Sequence, residues 1–283
     1  MSGCPPHPDG LRYAQHWEPV LADSGWRLLD RVAALAATSL DADAVPGTVL
    51  DLGSGAGLLA LAAAERWPLA RVVGLDASDA MLSVARQRAA EHEPVGHASR
   101  LEWLVADAAA VPLQDASVDV VVSSFMLQLV ADRQAVLREV WRVLRAGGML
   151  GLVTWLADEL WLAADTEFDE AVYDLSLDDA GVEDPGLQPD DYESPAALLA
   201  DLEAAGLVGI DVQTGVLESS WSREAYLDFK EQYDEFDLFE SLAVTDRARL
   251  RERVAERWQR LPEAAFSLRT PIVWATARRP SGS

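Results

Sequence analysis

Val49-Leu50-Asp51-Leu52-Gly53-Ser54-Gly55-Ala56-Gly57 is the stretch on which the fold turns. A short apolar strand carrying an acid runs into three alternating glycines. Leu58 to Arg66 then continues as a helix-forming segment rich in Ala and Leu. Strand, glycine turn and helix open a doubly wound α/β domain, where a ligand sits outside the carboxyl ends of the strands. Each glycine can take positive φ, and none carries a Cβ that would hold a ligand off the backbone. The spacing is Gly-x-Gly-x-Gly after an acid, not the Gly-x-Gly-x-x-Gly fingerprint of dinucleotide binding.

Strands and helices alternate on the carboxyl side of this turn. Arg71–Asp76 reads as a second strand, and Ser78 caps a helix carrying Met81, Leu82 and Ala85. Leu101–Ala106 is a third strand that ends at Asp107. Val118–Ser124 is a fourth, apolar enough to be buried on both faces as parallel strands are. An amphipathic helix from Asp132 to Arg145 is expected to stop at Gly147-Gly148 before a fifth strand, Met149–Trp155. On the amino side, Ser24 is placed to cap a helix running to about Ala37, with Trp26, Leu29, Val32, Ala33 and Leu35 at its apolar positions. Repeated βα units with short connections imply a parallel sheet with right-handed crossovers.

The second half departs from this rhythm. Leu156 to Glu193 begins helically and becomes an acidic loop around Gly181, Pro185, Gly186 and Pro189. Ser194-Pro195 then starts a helix with a capping serine and a proline at its first position, and Gly206 closes it. Val208–Val216 reads as a sixth strand. An aromatic-rich helix from Ser222 to about Leu242 follows, then an Arg-rich helix from Thr245 to Arg260, and Phe266–Ala277 as a last strand. Tyr226, Phe229, Tyr233 and Phe236 fall at helical spacing and form one stripe.

Composition narrows the function. The net charge of the 283 residues is −24, and no Lys or Arg occurs between Arg145 and Arg223. Such a surface repels phosphate backbones, so nucleic acid is not an expected partner. The acidic interval reads either as a mouth for a cationic substrate or as a solvated face that keeps the chain soluble. Cys4 is the only cysteine, so no internal disulfide forms, which fits a reducing, cytoplasmic setting. His7, His16, His92 and His97 do not cluster, so no metal site is expected. No apolar run is long enough to span a bilayer, and Met1 to Gly10 lacks the basic flank and apolar core of a secretory signal.

Val49–Gly57, Asp76 after the second strand, Asp107 after the third and the Val-Leu-Arg-Ala-Gly-Gly turn at 143–148 together resemble the class I S-adenosylmethionine-dependent methyltransferases. The likeness is to the small-molecule group that includes ubiquinone/menaquinone-type enzymes. It covers about residues 45 to 155. It implies a Rossmann-like, doubly wound α/β fold: a mostly parallel seven-stranded sheet whose last strand inserts antiparallel, plus a helical lid or insertion. The implied organisation is an N-terminal helical segment (1–44) and a cofactor-binding core (45–155). An acidic insertion or lid with its helix (156–205) follows, then C-terminal strands and helices that complete the sheet (206–283).

The resemblance implies a role for each position. Gly53, Ser54, Gly55 and Gly57 admit the cofactor's amino-acid and ribose part, and Asp51 helps to hold its ammonium. Asp76 accepts from the ribose hydroxyls, while Ala77 and Met81 flank the adenine. Asp107 and Ala108 read the adenine edge. Ser123, Ser124 and Phe125 meet the cofactor at the end of the fourth strand. Tyr13 and Trp17 either fold over the cofactor, where aromatic faces favour a sulfonium, or simply pack on the core. Each assignment has a plainer alternative: Asp51 as a cap of the turn, Met81 as core.

The implied reaction is in-line methyl transfer to a small molecule, releasing S-adenosylhomocysteine. No catalytic base is identified. Gln128 stands where many relatives place His, and Ala146 replaces a common proline. His16 and Gln128 are the candidates for polar contact. Trp155, Trp161, Tyr173 and Tyr233 are the candidate walls for an aromatic or apolar acceptor. The segment from Trp155 to Glu193 is expected to act as a lid that orders on binding. Two other readings remain open from the residues: a cofactor-binding sensor or cyclase that transfers no methyl, and a nicotinamide oxidoreductase with an atypical loop. The oligomeric state is not legible.

Overall fold

The computed structural model describes residues 10–39, 46–92, 100–158, 162–177 and 191–281. Cys4, His7, His97, Trp161 and the loop around Gly181, Pro185, Gly186 and Pro189 lie outside the described residues.

Seven strands form one sheet: β1 (Thr48–Leu52), β2 (Arg71–Asp76), β3 (Leu101–Val105), β4 (Val118–Ser124), β5 (Leu144–Trp155), β6 (Val208–Ser220) and β7 (Ser267–Arg278). Their order is β3-β2-β1-β4-β5-β7-β6. The first five are parallel, and β7 inserts antiparallel between β5 and β6. This is the expected doubly wound architecture. Chain order reverses between β1 and β4, so a crevice opens at their carboxyl ends, where such sheets place a ligand. The Glu18–Ser39 and Leu58–Arg66 helices bury one face of the sheet, and the Arg133–Val143 and Pro195–Ala204 helices bury the other.

Local signals placed most elements. Asp132 caps Arg133–Val143 by accepting from the Ala135 amide at 2.8 Å, and Ser194 caps Pro195–Ala204 from the Ala197 amide at 3.2 Å. Gly206, at φ +80°, ends that second helix.

Four expectations are corrected. Ser24 does not start a helix; the helix runs from Glu18, and Ser24 is buried within it, its carbonyl accepting from the Trp274 indole at 3.0 Å. Trp26 is half exposed rather than a core position. Gly147-Gly148 does not stop the preceding helix, which ends at Val143 and passes straight into β5. The cap there is Arg279: its guanidinium donates to the Trp141, Arg142 and Leu144 carbonyls and lies 3.9 Å over the Trp141 ring. A distant cation thus satisfies the orphan carbonyls that a glycine motif would otherwise serve. Finally, the aromatic helix is not continuous. Arg223–Phe229 passes through a π-helical turn, Lys230–Asp234, and restarts as Phe236–Ser241.

The Ala163–Asp174 helix packs against the Val244–Trp258 helix. Phe168 and Trp258 are buried there, and the Trp258 indole donates to the Ala164 carbonyl at 2.9 Å. The excursion after β5 returns beside its own start: the Tyr192 amide donates to the Trp155 carbonyl at 3.3 Å, and the Ala157 amide donates to the Tyr192 carbonyl at 2.9 Å.

Candidate cofactor cavity

The glycine turn is tied to β2 rather than standing free. The Gly53 and Ser54 amides both donate to the Leu75 carbonyl, at 2.8 and 2.9 Å. One step further along β2, Asp76 accepts from the Gly55 amide through Oδ2 and from the Ser78 amide through Oδ1, each at 2.8 Å. One carboxylate therefore joins the turn after β1 to the helix start after β2. Gly53 is required twice over. Its φ is +74°, and a Cβ there would stand 2.3 Å from Met126 Cγ. Gly55, at φ +52°, faces open space, the nearest group being the Tyr13 ring at 3.7 Å from the position of an added Cβ.

A cavity of about 220 Å³ lies at this end of the sheet. Gly53, Gly55, Asp76, Ala77, Met81, Asp107 and Ala108 line it from the turns after β1, β2 and β3. Phe125, Gln128 and Trp155 line it from the ends of β4 and β5, and Tyr13 and Trp17 close it from the amino-terminal segment. Four of these walls are aromatic. The Phe125 and Trp155 rings are 4.4 Å apart, and Trp155 lies 6.5 Å from Trp17. None of the described residues lining the cavity is Lys, Arg or His.

Other expected residues lie beneath or away from it. Gly57 and Ser54 sit within the turn and are not among the lining groups. Ser123 faces inward and donates to the Leu52 carbonyl at 2.8 Å, so that Ser124, its neighbour of opposite facing, lines the cavity instead. Tyr233 is buried behind Trp17, stacked at 6.3 Å. Tyr173 is corrected as a cavity wall: it is 70% exposed on the surface of its helix. His16 does not line the cavity, and burial together with Arg12 lowers its pKa below the usual value, against the pull of Asp228.

Two features of the site had no local signal in the sequence. Leu21 and Met126, with Leu75, Leu129 and Val130, add to its apolar lining. Glu18 is buried and ion-paired with Arg88, its two oxygens at 2.7 and 2.9 Å, and the same guanidinium nitrogen donates to the Ala56 carbonyl of the glycine turn at 3.0 Å. This latch fastens the amino-terminal segment over the turn. Its partners are seventy positions apart in the chain, beyond any pattern of spacing.

Asp51 is the electrostatic anomaly. Its side chain is buried, and Oδ2 has no hydrogen-bond partner. Burial pushes its pKa up to about 8; the Ala60 amide opposes this, and the Asp76 and Glu18 carboxylates add to it. The Ser54 hydroxyl is likewise buried and without a partner. A buried carboxylate and a hydroxyl left unmatched beside an open glycine turn are the donor set that a cationic, hydrogen-bonding ligand would complete.

Residues 50–152 match the sequence family described as a methyltransferase domain. The malonyl-[acyl-carrier protein] O-methyltransferase of Xylella fastidiosa is 39% identical over 108 residues, which cover 38% of this chain and 35% of that protein. The demethylmenaquinone methyltransferase of Thermus thermophilus is 39% identical over 114 residues, 40% of this chain and 50% of that protein. The matched stretch is thus half or less of the length of these relatives. Among solved structures, the YcgJ protein of Bacillus subtilis superposes with a TM-score of 0.53 at 21% identity, over 88% of this chain and 98% of that one. The [4+2]-cyclase SpnF does so with a TM-score of 0.51 at 22% identity, over 89% and 81%. These two likenesses define the fold. With the sequence matches, they support a class I S-adenosylmethionine-dependent methyltransferase domain at residues 50–152, the part of the chain that the family covers. The cavity described above lies at the end of the sheet where that domain binds its cofactor.

Proposed function

We propose that this chain transfers a methyl group from S-adenosylmethionine, held in the cavity, to a small aromatic or apolar molecule. The observation that carries the reading is the orphaned, buried Asp51 oxygen beside a glycine turn that opens into a cavity with aromatic walls. When bound, S-adenosylmethionine supplies a methyl group already activated by its positively charged sulfur. Asp51 is the group for its ammonium end, through water, since neither it nor Ser54 lines the cavity. Asp76 keeps acceptor capacity for two hydroxyls after serving the Gly55 and Ser78 amides. Ala77, Met81 and Ala108 suit an aromatic base, and Asp107 has acceptor capacity beyond its bond from the Ala109 amide at 2.8 Å.

The chain's own share of the chemistry is orientation and exclusion of water. Tyr13 and Trp17 cover the cavity, and Phe125 and Trp155 give an acceptor a flat apolar wall. Holding two reactants in line can supply several kcal/mol of the barrier reduction. His16 does not line the cavity and the Gln128 amide is no base, so an acceptor that must lose a proton loses it to solvent or to another group at the site. The likeness in fold to the [4+2]-cyclase SpnF is what favours a second reading, in which the chain binds the cofactor without transferring methyl.

Among the described residues no helix is long and apolar enough to cross a membrane. The acidic surface opposes nucleic acid, and a cytoplasmic setting with a free small molecule as partner fits the composition. Calorimetric titration with S-adenosylhomocysteine, followed by a screen for its formation from S-adenosylmethionine with aromatic and apolar acceptors, tests the proposal. Binding without product across the screen favours the second reading. Binding of a nicotinamide cofactor instead would overturn both.

A further inference from the structure

Gln128 lines the cavity, yet its amide is committed elsewhere. It is buried on the single turn Leu127–Leu129 that follows β4. Its Nε2 donates to the Phe125 carbonyl, and its Oε1 accepts from the Thr154 hydroxyl at 2.9 Å. The orientation of the amide follows from its partners. A backbone carbonyl can only accept, so the nitrogen must face Phe125 and the oxygen must face the hydroxyl. Thr154 is itself fully buried on β5, one position before Trp155.

The residue held by this amide is strained. Phe125 has φ +51°, a left-handed conformation that is costly for a side chain with a bulky Cβ substituent. Its backbone is gripped from both sides: the amide donates to the Val153 carbonyl at 2.8 Å, and the carbonyl is taken by Gln128. Both grips come from, or are oriented by, β5. The left-handed turn sends the Phe125 ring to 4.4 Å from the Trp155 ring. It also seats Met126 where only a glycine at position 53 leaves room. One turn therefore fixes two walls of the cavity.

We propose that Gln128, oriented by Thr154, is a positioning residue: it holds Phe125 in its left-handed conformation and so sets the Phe125–Trp155 wall against which the methyl acceptor is aligned. This rests on the methyltransferase reading for its consequence in turnover, but not for its consequence in structure. Strain of this kind persists only where the surroundings over-determine it, and it concentrates at sites that need a preorganised wall.

Three variants test the proposal in the full-length chain. Gln128→Glu keeps the shape. When protonated, its carboxyl can donate to the Phe125 carbonyl while accepting from Thr154; when ionised, it cannot donate and sets a charge against a carbonyl. Burial raises the pKa of such an acid, so the loss develops as pH rises. The kcat of Gln128→Glu relative to wild type should fall by about tenfold or more between about pH 5.5 and about pH 8.5. Its affinity for S-adenosylhomocysteine should change with pH by a smaller factor than its kcat does. Thr154→Val should lower kcat with little change in cofactor affinity, and Thr154→Ser should restore it.

A kcat ratio independent of pH, or a Thr154→Val variant as active as wild type, would overturn the positioning role. The near-ultraviolet circular dichroism of the Phe125–Trp155 pair, recorded with S-adenosylhomocysteine bound, reads the wall without any turnover. It should change in Gln128→Glu at high pH and in Thr154→Val, and an unchanged signal in both sinks the proposal. Wild-type protein that binds S-adenosylhomocysteine and never forms it would sink the methyltransferase reading instead, leaving the dichroism to judge the wall.

Discussion

Two buried ionisable groups in this molecule have opposite fates, and the contrast separates scaffold from site. Lys230, in the π-helical turn, is buried but surrounded: Asp234, Asp165 and Glu235 lie at 2.5, 3.1 and 3.5 Å, with the Phe168 ring 5.0 Å away. Burial alone would lower its pKa; these carboxylates outweigh it and hold the ammonium well above its usual range. Asp51, beside the glycine turn, is as deeply buried, has an oxygen without a hydrogen-bond partner, and has its pKa raised further by the Asp76 and Glu18 carboxylates. A charge whose partners come from its own chain is compensated within the fold, which is harmed when the pairing is broken. One whose partner is missing costs the fold stability and is retained where a ligand completes it.

The largest expected effect is on the site. Gly55→Val places a branched side chain at φ +52° and fills the space beside Tyr13. Binding of S-adenosylhomocysteine should be lost in calorimetry while the far-ultraviolet dichroism stays native. A variant that binds normally removes the glycine turn from the cofactor site. Next comes the scaffold: Lys230→Met strips the cation from its carboxylates and should cost about 3–5 kcal/mol in urea denaturation. The cofactor affinity of the folded fraction should be unchanged, and weakened binding there would merge the two regions that the comparison keeps apart.

Asp76→Ala should weaken S-adenosylhomocysteine binding by about tenfold or more, since each hydrogen bond to a charged group is worth about 1.5–3 kcal/mol. The Gly55 and Ser78 amides lose their acceptor in the same variant, so Asp76→Asn should fall between it and wild type. The smallest signal is the pH dependence of Asp51. With its pKa at about 8 in the ligand-free protein, the carboxylate form that suits a cation becomes populated only as pH rises. Affinity for S-adenosylhomocysteine should increase by less than about tenfold from about pH 7 to about pH 8.5, and Asp51→Asn should flatten that rise. Stability runs the other way. The unfolded chain loses this proton near about pH 3.9 while the native state keeps it to about 8, so stability falls across that window. Asp51→Asn should remove this share of the fall in urea midpoints measured without ligand.

Legibility followed the range of the interactions. The strands Arg71–Asp76 and Val118–Ser124 and the helix Leu58–Arg66 were readable to the residue, because apolar runs bounded by acids and glycines carry their own ends. The start of the amino-terminal helix was misread. Ser24 is a good local cap, but the helix is prolonged by contacts made elsewhere, Glu18 with Arg88 and the Ser24 carbonyl with Trp274. The end of the helix before β5 was misread for a similar reason, since Gly147-Gly148 is a good local stop and Arg279 makes it unnecessary. In the cavity, the residues carried by turn motifs were visible in advance. Met126 and Leu21 were not, because nothing near them in the chain marks which way they face.

The sequence by itself determined the alternation of strands and helices, the glycine turn that opens the crevice, and the acids at the carboxyl ends of β1, β2 and β3, since each is written in a few neighbouring residues and the backbone geometry they permit. Only the tertiary structure decided which of those acids keep unmet bonding capacity. It showed Asp76 occupied by two amides, Asp51 left without a partner on one oxygen, and Gln128 spent on the strained carbonyl of Phe125 rather than offered for polar contact in the cavity. Hydrogen-bond satisfaction depends on groups brought together from far along the chain, and those meetings exist only once the sheet has closed them onto one another.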